Sequence, residues 1–151
     1  DLPFLDSSFD AVVCFAAFDA MYQAEALIEM NRVIRMGAKV LITGKNDNYY
    51  DDDSSALEAE VGARAKKHPN YFTDVNVLVK NLDQFGFDIV SERYFSRRGD
   101  FAKETWVEHK PEFFYEYLFI LNKVNEYHSI IEGGISSAAS KTFARCCCLN
   151  G

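Results

Sequence analysis

The apolar residues of the first 45 positions form two continuous runs with one amphipathic segment between them. Residues 9–16 and residues 39–44 are predominantly apolar, with adjacent apolar residues such as Val12 and Val13, which is typical of strands covered on both faces in a parallel sheet. Residues 23–35 instead repeat apolar side chains at helical spacing. Gly37 stands where such a helix needs a left-handed residue after its last turn. The pattern predicts a strand–helix–strand unit with a right-handed crossover.

Two further helices are predicted in the middle of the chain. Ser54 or Ser55 can cap the first of them, and Glu58 would complete a capping box with Ser55. The second begins at Thr73 or Asp74. Its apolar face repeats at i, i+3, i+4 and i+7, with the residues Val75, Leu78, Val79, Leu82 and Phe85.

Two strands follow these helices. Gly86 closes the second helix, and the apolar residues after it predict a strand over 87–95. A polar loop over 96–112 leads to the aromatic run 113–121, which is the strongest strand pattern in the chain. No helix separates the two strands, so we expect them to be antiparallel. From about residue 125 the chain is rich in Gly, Ser and Ala, and we expect a weakly ordered tail.

Composition narrows the classes of function. The chain of 151 residues carries a formal net charge of −7 and has no concentrated basic patch. This argues against partners such as nucleic acid or an anionic membrane surface. No apolar stretch approaches the roughly 20 residues that cross a bilayer. A hydrophobic content of 48% with 26% charged residues is ordinary for a globular domain.

The four cysteines indicate a reducing compartment. Cys14 lies within an apolar run and is expected to be a small buried residue. Cys146, Cys147 and Cys148 are adjacent, which does not suit a disulfide framework or the chelation of one metal ion. We therefore expect a cytoplasmic protein. The cysteine triplet is either a site of palmitoylation or a chain end without function.

Four short motifs in the first 44 residues carry a family resemblance. Their combined order is similar to the second half of a class I S-adenosyl-L-methionine (SAM)-dependent methyltransferase of the methyltransferase type 11-like group. The motifs are Leu2-Pro3-Phe4, Phe9-Asp10-Ala11-Val12-Val13, Asn31-Arg32-Val33-Ile34 and Gly37-Ala38-Lys39-Val40-Leu41-Ile42.

The resemblance covers residues 1–123 and leaves 124–151 as the tail. It implies an α/β, Rossmann-like methyltransferase sheet whose last strand is antiparallel. The Gly-rich cofactor loop of the family precedes the matching stretch, so the resemblance implies a chain truncated before that motif. It implies SAM as cofactor and methyl transfer to a small-molecule acceptor in the intact protein. We expect this fragment alone to bind SAM poorly or not at all and to be inactive.

The resemblance also assigns residues to the cofactor. Leu2, Pro3 and Phe4 would flank the adenine. The segment that follows the first strand would face the methionine part of SAM, in agreement with ligand binding at the carboxyl ends of strands in open α/β sheets. That segment consists of Phe15, Ala16 and Ala17. Phe18 is also assigned to the cofactor and would begin, with Asp19, the segment that faces the acceptor.

Three further residues are candidates for acceptor chemistry. Asp19 replaces a His that is frequent in the family. It is either a general base or a group that orients the acceptor, or else it caps or precedes the helix that starts near Met21 or Gln23. Tyr49 and Tyr50 follow the second strand and form either an acceptor-binding loop or a solvated loop. No metal site is predicted, because the acidic run after Tyr50 fails the calcium-loop template.

A second class of function competes with the enzyme. A chain that lacks the preceding strands would present its first strand as a bare apolar edge. The alternative is therefore a non-catalytic interaction or pseudoenzyme module with a methyltransferase-like fold. Self-association through the exposed sheet edge is expected in that case.

Overall fold

The structure is a computed structural model. It describes residues 2–67 and 71–128, together with the backbone of residues 144–146. In chain order the elements are β1 (Phe9–Cys14), α1 (Gln23–Val33), β2 (Ile34–Lys45), α2 (Ser54–Ala65), β3 (Tyr71–Thr73), α3 (Val75–Asn81), β4 (Phe87–Phe95), β5 (Glu116–Lys123) and β6 (Ala144–Cys146). Two 3₁₀ turns, Phe18–Ala20 and Leu82–Phe85, complete the set.

Four strands form the main sheet, in the order β1-β2-β5-β4. β1 and β2 are parallel, and α1 connects them as predicted. β5 lies between β2 and β4 and is antiparallel to both. The predicted α/β sheet with an antiparallel last strand is therefore confirmed. β3 and β6 pair separately as a two-stranded sheet. Of the predicted tail, residues 129–143 and 147–151 lie outside the described residues.

One apolar cluster holds α1 and α3 against the main sheet. Its members are buried side chains that alternate along β2 and β5 or recur at helical spacing. Examples are Leu27, Val33, Val40, Ile42, Leu78, Phe119 and Leu121. Full burial of each large apolar side chain stabilises the fold by about 1.5–3 kcal/mol.

Gly37 does not end α1, so that prediction is wrong. The helix ends at Val33, and the chain enters β2 directly at Ile34. Gly37 lies inside β2 with φ +77°, where the pairing with β1 shifts by several residues. The extra residues bulge out of the ladder, and glycine accepts the left-handed conformation there at little cost.

The buried Lys123 side chain satisfies carbonyls at the end of α1 instead. Its ammonium donates to the carbonyls of Asn31 and Ile34 at 2.8 and 3.0 Å and to the Glu126 carboxylate at 2.8 Å. A cation at the C-terminus of a helix also opposes the helix dipole. A tertiary contact from β5 therefore fulfils the role that the sequence assigned to glycine.

The capping-box prediction for α2 is also wrong. Asp53 caps the helix, and its carboxylate accepts a hydrogen bond from the Ala56 amide at 3.1 Å. Carboxylate and hydroxyl caps are close in energy, so neighbouring Asp and Ser residues compete for the same position. α3 was predicted to begin at Thr73 or Asp74, and it begins at Val75 with Asp74 as its cap. Gly86, at φ +79°, closes the turn that follows it.

β5 begins three residues later than predicted. Glu116 pairs with Lys45, the last residue of β2. The preceding Tyr115 donates its amide to the Phe95 carbonyl at 2.9 Å but lies beyond the end of β2. The aromatic run extends past the sheet because Tyr115 is buried outside the ladder, in a small cluster with Phe72.

Glu29 and Arg32 of α1 fasten residues 2–8 to the fold. The Arg32 guanidinium donates to the Leu2 and Phe4 carbonyls and pairs with Glu29 and Asp6. Glu29 in turn accepts the Leu2 amide at 2.6 Å. The hydrogen bond from Arg32 lowers the pKa of Glu29 from 4.5 to about 2.

Glu29→Gln is expected to make stability less sensitive to acid. The folded-state pKa of Glu29 is lowered, so its contribution is complete above pH 4.5 and is lost as the pH falls towards about 2. Urea unfolding midpoints measured from pH 6 down to pH 2 test this. Glu25→Gln, which removes the same charge from an exposed position of α1, is the control and should keep the wild-type acid slope.

Candidate functional site

Two hollows adjoin the carboxyl end of β1. The first has a volume of about 450 Å³ and is mostly apolar. Leu2, Val13, Phe15 and Tyr22 contribute apolar surface, and the Glu25 carboxylate adds a charge. A volume of this size is typical of small-molecule sites.

The second hollow has a volume of about 340 Å³ and is lined by more charged side chains than the first. It lies where β1 and β2 end and β5 begins, and Phe15 and Phe101 form aromatic walls. Charged and hydroxyl side chains line the remainder: Asp19, Lys45, Arg98, Glu116 and Tyr117. The position agrees with the rule that ligands of open α/β sheets bind outside the carboxyl ends of strands.

Phe15 is the wall shared by both hollows. Its side chain is 55% exposed, and its ring meets the Phe101 ring at a centroid distance of 5.4 Å. The next residue, Ala16, has φ +51°, a left-handed conformation that costs a non-glycine residue about 1–2 kcal/mol. Its amide donates to the Thr43 hydroxyl at 2.8 Å. The strained turn is thus fastened to β2 and holds Phe15 between the hollows.

Asp19 lies in the second hollow and is almost fully buried. One carboxylate oxygen accepts the Lys45 amide at 2.9 Å, and the other lies 3.3 Å from the Lys45 ammonium. Burial raises the pKa of Asp19, and the Lys45 charge opposes that shift. Asp19 precedes α1 but does not cap it, because α1 starts after Tyr22 without a side-chain cap.

Glu116 is a site residue that the sequence analysis missed. It is the first residue of β5, paired with Lys45 on one side and Phe95 on the other. Burial raises the pKa of its carboxyl group. A charged residue at the start of an aromatic strand would have indicated a site residue. The strand was predicted to start at residue 113, so Glu116 was placed inside it and not at its end.

Tyr117 and Gly44 form a close-packed part of the second hollow. The buried Tyr117 hydroxyl lies 3.0 Å from the Thr73 hydroxyl, which accepts from the Gln23 amide at 2.9 Å. A Cβ on Gly44 would overlap the Tyr117 hydroxyl. Glycine at position 44 is therefore what allows the ring to lie across β2.

The loop after β4 brings Arg98 to the second hollow. Its backbone amide donates to the Asp53 carboxylate at 2.8 Å, and the amide of Arg97 donates to Asp100 at 2.8 Å. The Arg97 guanidinium pairs with Asp52 and lies 4.1 Å from the centre of the Tyr50 ring. These contacts connect the loop to the start of α2.

The residues predicted to bind the cofactor do not all line the same hollow. Leu2, Phe15 and Ala17 line the first hollow, and Ala16 lines the second. Pro3 lies beside Leu2, and Phe4 packs edge-on against Phe9 at 4.8 Å. Phe18 is fully buried in the core and lines neither hollow.

Tyr49 and Tyr50 line neither hollow. The Tyr49 hydroxyl donates to Glu60 at 2.8 Å, and its ring stacks on Phe72. The Tyr50 ring packs against Phe113 as well as Arg97. Both tyrosines therefore anchor α2 and its flanking loop in the arrangement seen here.

Metal-ligand clusters and membrane-spanning helices are both absent from the described residues. Within residues 2–67 and 71–128, His, Cys, Asp and Glu form no group of three or more that could hold a metal ion. The helices in those same segments are all too short or too polar to cross a bilayer.

Comparison with known proteins found a family match over the first 42 residues. A family model described as a methyltransferase domain matches residues 1–42. A comparison with curated protein sequences found no significant match.

Solved structures of methyltransferases share the fold. A SAM-dependent methyltransferase from Thermotoga maritima, described as a possible histamine N-methyltransferase, has a TM-score of 0.59 and 17% identity, covering 83% of this chain and 60% of its own. A SAM-dependent methyltransferase from Archaeoglobus fulgidus has a TM-score of 0.55 and 14% identity, covering 80% and 62%. A chain of the complex between the Haloferax volcanii Trm112 methyltransferase activator and a methyltransferase has a TM-score of 0.53 and 16% identity, covering 83% and 58%.

The present chain spans about three fifths of the length of these structures. Identities of this size establish the fold alone. Together with the family match over residues 1–42, they confirm the resemblance inferred from the sequence motifs. The described part of this chain has the fold of the class I SAM-dependent methyltransferases.

Proposed function

We propose that this chain supplies the carboxyl-terminal half of a cytoplasmic SAM-dependent methyltransferase that acts on a small-molecule acceptor. The observation that carries the proposal is the shared wall at Phe15. A mostly apolar hollow and a hollow that carries both acidic and basic side chains meet at one ring at the carboxyl end of β1. Methyl transfer needs cofactor and acceptor side by side, and this arrangement provides adjacent places for both.

The residues of the first hollow fit a wall for SAM. Phe15 and Val13 offer half-exposed apolar surface to the flat and aliphatic parts of such a ligand. Glu25 brings a carboxylate that can face a hydroxyl or a positive charge. The Gly-rich turn that lets backbone approach a nucleotide does not occur among these residues. The hollow is therefore one side of a cofactor site.

Bound SAM would supply an activated methyl group, and the chain would supply position and exclusion of water. Phe15 would pack beside both ligands, so that the acceptor atom can approach the methyl group past the edge of the ring. Orientation of this kind contributes about 7–11 kcal/mol in favourable cases. A base is needed only when the acceptor must lose a proton, and carboxylates of the second hollow are available for that role.

Titration of the isolated chain with SAM tests the proposal. We expect weak binding, with a dissociation constant near or above about 1 mM, because one wall of the site contributes little affinity. Amide NMR shifts should nevertheless concentrate at Leu2, Val13 and Phe15. Low-micromolar affinity would contradict the half-site interpretation, and shifts elsewhere would contradict the location.

Two substitutions that each introduce a lysine serve as a test and a control for this titration. Val13→Lys places a cation in the first hollow, and the cationic sulfonium should then lose its remaining affinity. Val90→Lys places the same charge on β4, outside both hollows, and should leave the shifts unchanged. Equal loss in both variants would indicate a general charge effect.

A non-catalytic interaction module is the competing function. One edge of β1 faces away from β2 and has no partner among the described strands, and Val13 beside it is 69% exposed. Unpaired apolar edges invite pairing with a second chain. Size-exclusion chromatography separates the two functions, since this alternative requires concentration-dependent association and no SAM-induced shifts.

A further inference from the structure

We infer that the second hollow binds an organic ammonium group and that Glu116, rather than Asp19, is the carboxylate that contacts it. This inference rests on the proposed function only for the identity of the ligand as a methyl acceptor. The binding of an ammonium group follows from the residues that line the second hollow and does not depend on methyl transfer.

Asp19 already has a cation as its partner. Each of its oxygens contacts Lys45, one through the backbone amide at 2.9 Å and one through the ammonium at 3.3 Å. The residue is only 8% exposed. Its role is to hold the 3₁₀ turn after β1 against the end of β2.

Glu116, in contrast to Asp19, is available to contact a ligand cation. It lines the hollow and is partly buried, and its carboxylate makes no hydrogen bond or ion pair with any other residue in the described segments. A partly buried carboxylate without a partner is unfavourable and gains from a cation that reaches it. The hollow offers the route for that cation.

The neighbouring charges single out Glu116 by their pairing. Lys45 and Arg98 act on it as cations, and Asp19 and Asp100 act as anions. The Lys45 ammonium lies 3.3 Å from Asp19, and the Lys103 ammonium lies 3.8 Å from Asp100. Glu116 is therefore the carboxylate of this group whose charge is left for a ligand ammonium.

Aromatic rings complete the binding surface. Phe15 and Phe101 both line the hollow, with a centroid distance of 5.4 Å between their rings. Phe101 is itself fastened by Phe95, at 4.7 Å. Aromatic faces attract ammonium groups by about 0.5–2 kcal/mol and also accept the hydrocarbon part of an amine.

The same carboxylate suits transfer to nitrogen. An ammonium ion carries no free electron pair, so one N–H proton must first move to the Glu116 carboxylate. The freed pair then forms the N–CH₃ bond while the CH₃–S⁺ bond breaks and its electrons remain on sulfur. Burial raises the pKa of Glu116, which makes it a stronger base for that proton.

A series of three small probes tests the inference on the intact chain. Benzylammonium, benzyl alcohol and benzoate share a ring and differ in charge. In amide NMR titrations without SAM, we expect benzylammonium to shift the signals of Phe15, Gly99 and Glu116 and to bind at least about tenfold more tightly than the other two. Its affinity should fall as the pH is lowered through the pKa of Glu116.

Glu116→Gln and Glu108→Gln form a matched pair of variants. The first keeps the shape of the side chain and removes the charge, so the preference for benzylammonium over benzyl alcohol should disappear. The second removes the same charge from an exposed residue of the polar loop and should keep the preference. The wild-type probe series decides the question even if the first variant folds poorly.

Preferential binding of benzoate, or equal binding of all three probes, would overturn the inference. So would an unchanged preference in a folded Glu116→Gln variant. Because these titrations contain no SAM, failure here leaves the methyltransferase proposal standing with an acceptor that is not an amine. Likewise, if SAM does not bind, the inference that the second hollow binds an ammonium group still holds.

Discussion

Replacing Gly86 with alanine is expected to destabilise the protein by about 2–5 kcal/mol, through overpacking combined with backbone strain. Gly86 has φ +79°, which L-residues adopt at a cost. A Cβ there would overlap the backbone carbonyl of Asn125 and would lie 2.6 Å from the Asn31 amide nitrogen. Backbone cannot move aside as a flexible side chain can. Urea unfolding followed by circular dichroism measures the loss.

Substitutions at two other glycines separate the contribution of overpacking from that of backbone strain. Gly37 has φ +77° but open space where a methyl group would lie, so Gly37→Ala should cost only the strain, about 1–2 kcal/mol. Gly62 lies in α2 with open space and no positive φ, so Gly62→Ala should stabilise by about 0.5–1 kcal/mol. We therefore expect the loss of stability on substitution by alanine to increase in the order Gly62, Gly37, Gly86. Equal effects at Gly37 and Gly86 would contradict the predicted overlap.

Replacing Asn31 with alanine is expected to destabilise by about 2–4 kcal/mol, because several buried polar groups lose their partner at once. The Asn31 amide donates to the Phe85 and Asn125 carbonyls, each at 2.9 Å. Its side-chain oxygen accepts the Tyr127 amide at 3.0 Å. The residue is 1% exposed, so water cannot replace these bonds in the intact fold.

Asn76→Ala is the matched control for this substitution. Asn76 is exposed on α3, where the same change removes no buried hydrogen bond. Its effect should stay within about 0.5 kcal/mol. Paired urea titrations of the two variants give the comparison. A similar small loss for Asn31→Ala would show that the junction between α1 and the end of β5 is not held by this side chain.

Local patterns were sufficient where an element's stability comes from its own residues. The apolar run that begins at Phe9, the helical spacing of α1 and the bounds of β4 follow from continuous periodicity. The antiparallel arrangement of β4 and β5 followed from the missing helix between them. These elements bury faces that the sequence marks without reference to the rest of the chain.

The element ends were harder to predict because distant residues decide them. Gly37 looked like a helix terminator, but the buried Lys123 ammonium satisfies carbonyls at the end of α1. The start of β5 depends on where β2 ends, at Lys45. Asp53 and its serine neighbours were equivalent candidates for one cap until the fold selected Asp53. Each outcome depends on a contact across many residues.

The sequence by itself determined the class of this protein: the strand–helix–strand order and the motif order between Leu2 and Ile42 indicate the methyltransferase fold. The tertiary structure alone decided which carboxylate is available in the second hollow. Asp19 and Glu116 lie far apart in the chain and come together only where β2 meets β5. Lys45 occupies both oxygens of Asp19 and leaves Glu116 unpaired. Local residue patterns cannot specify such a division, because it depends on strand pairing between distant parts of the chain.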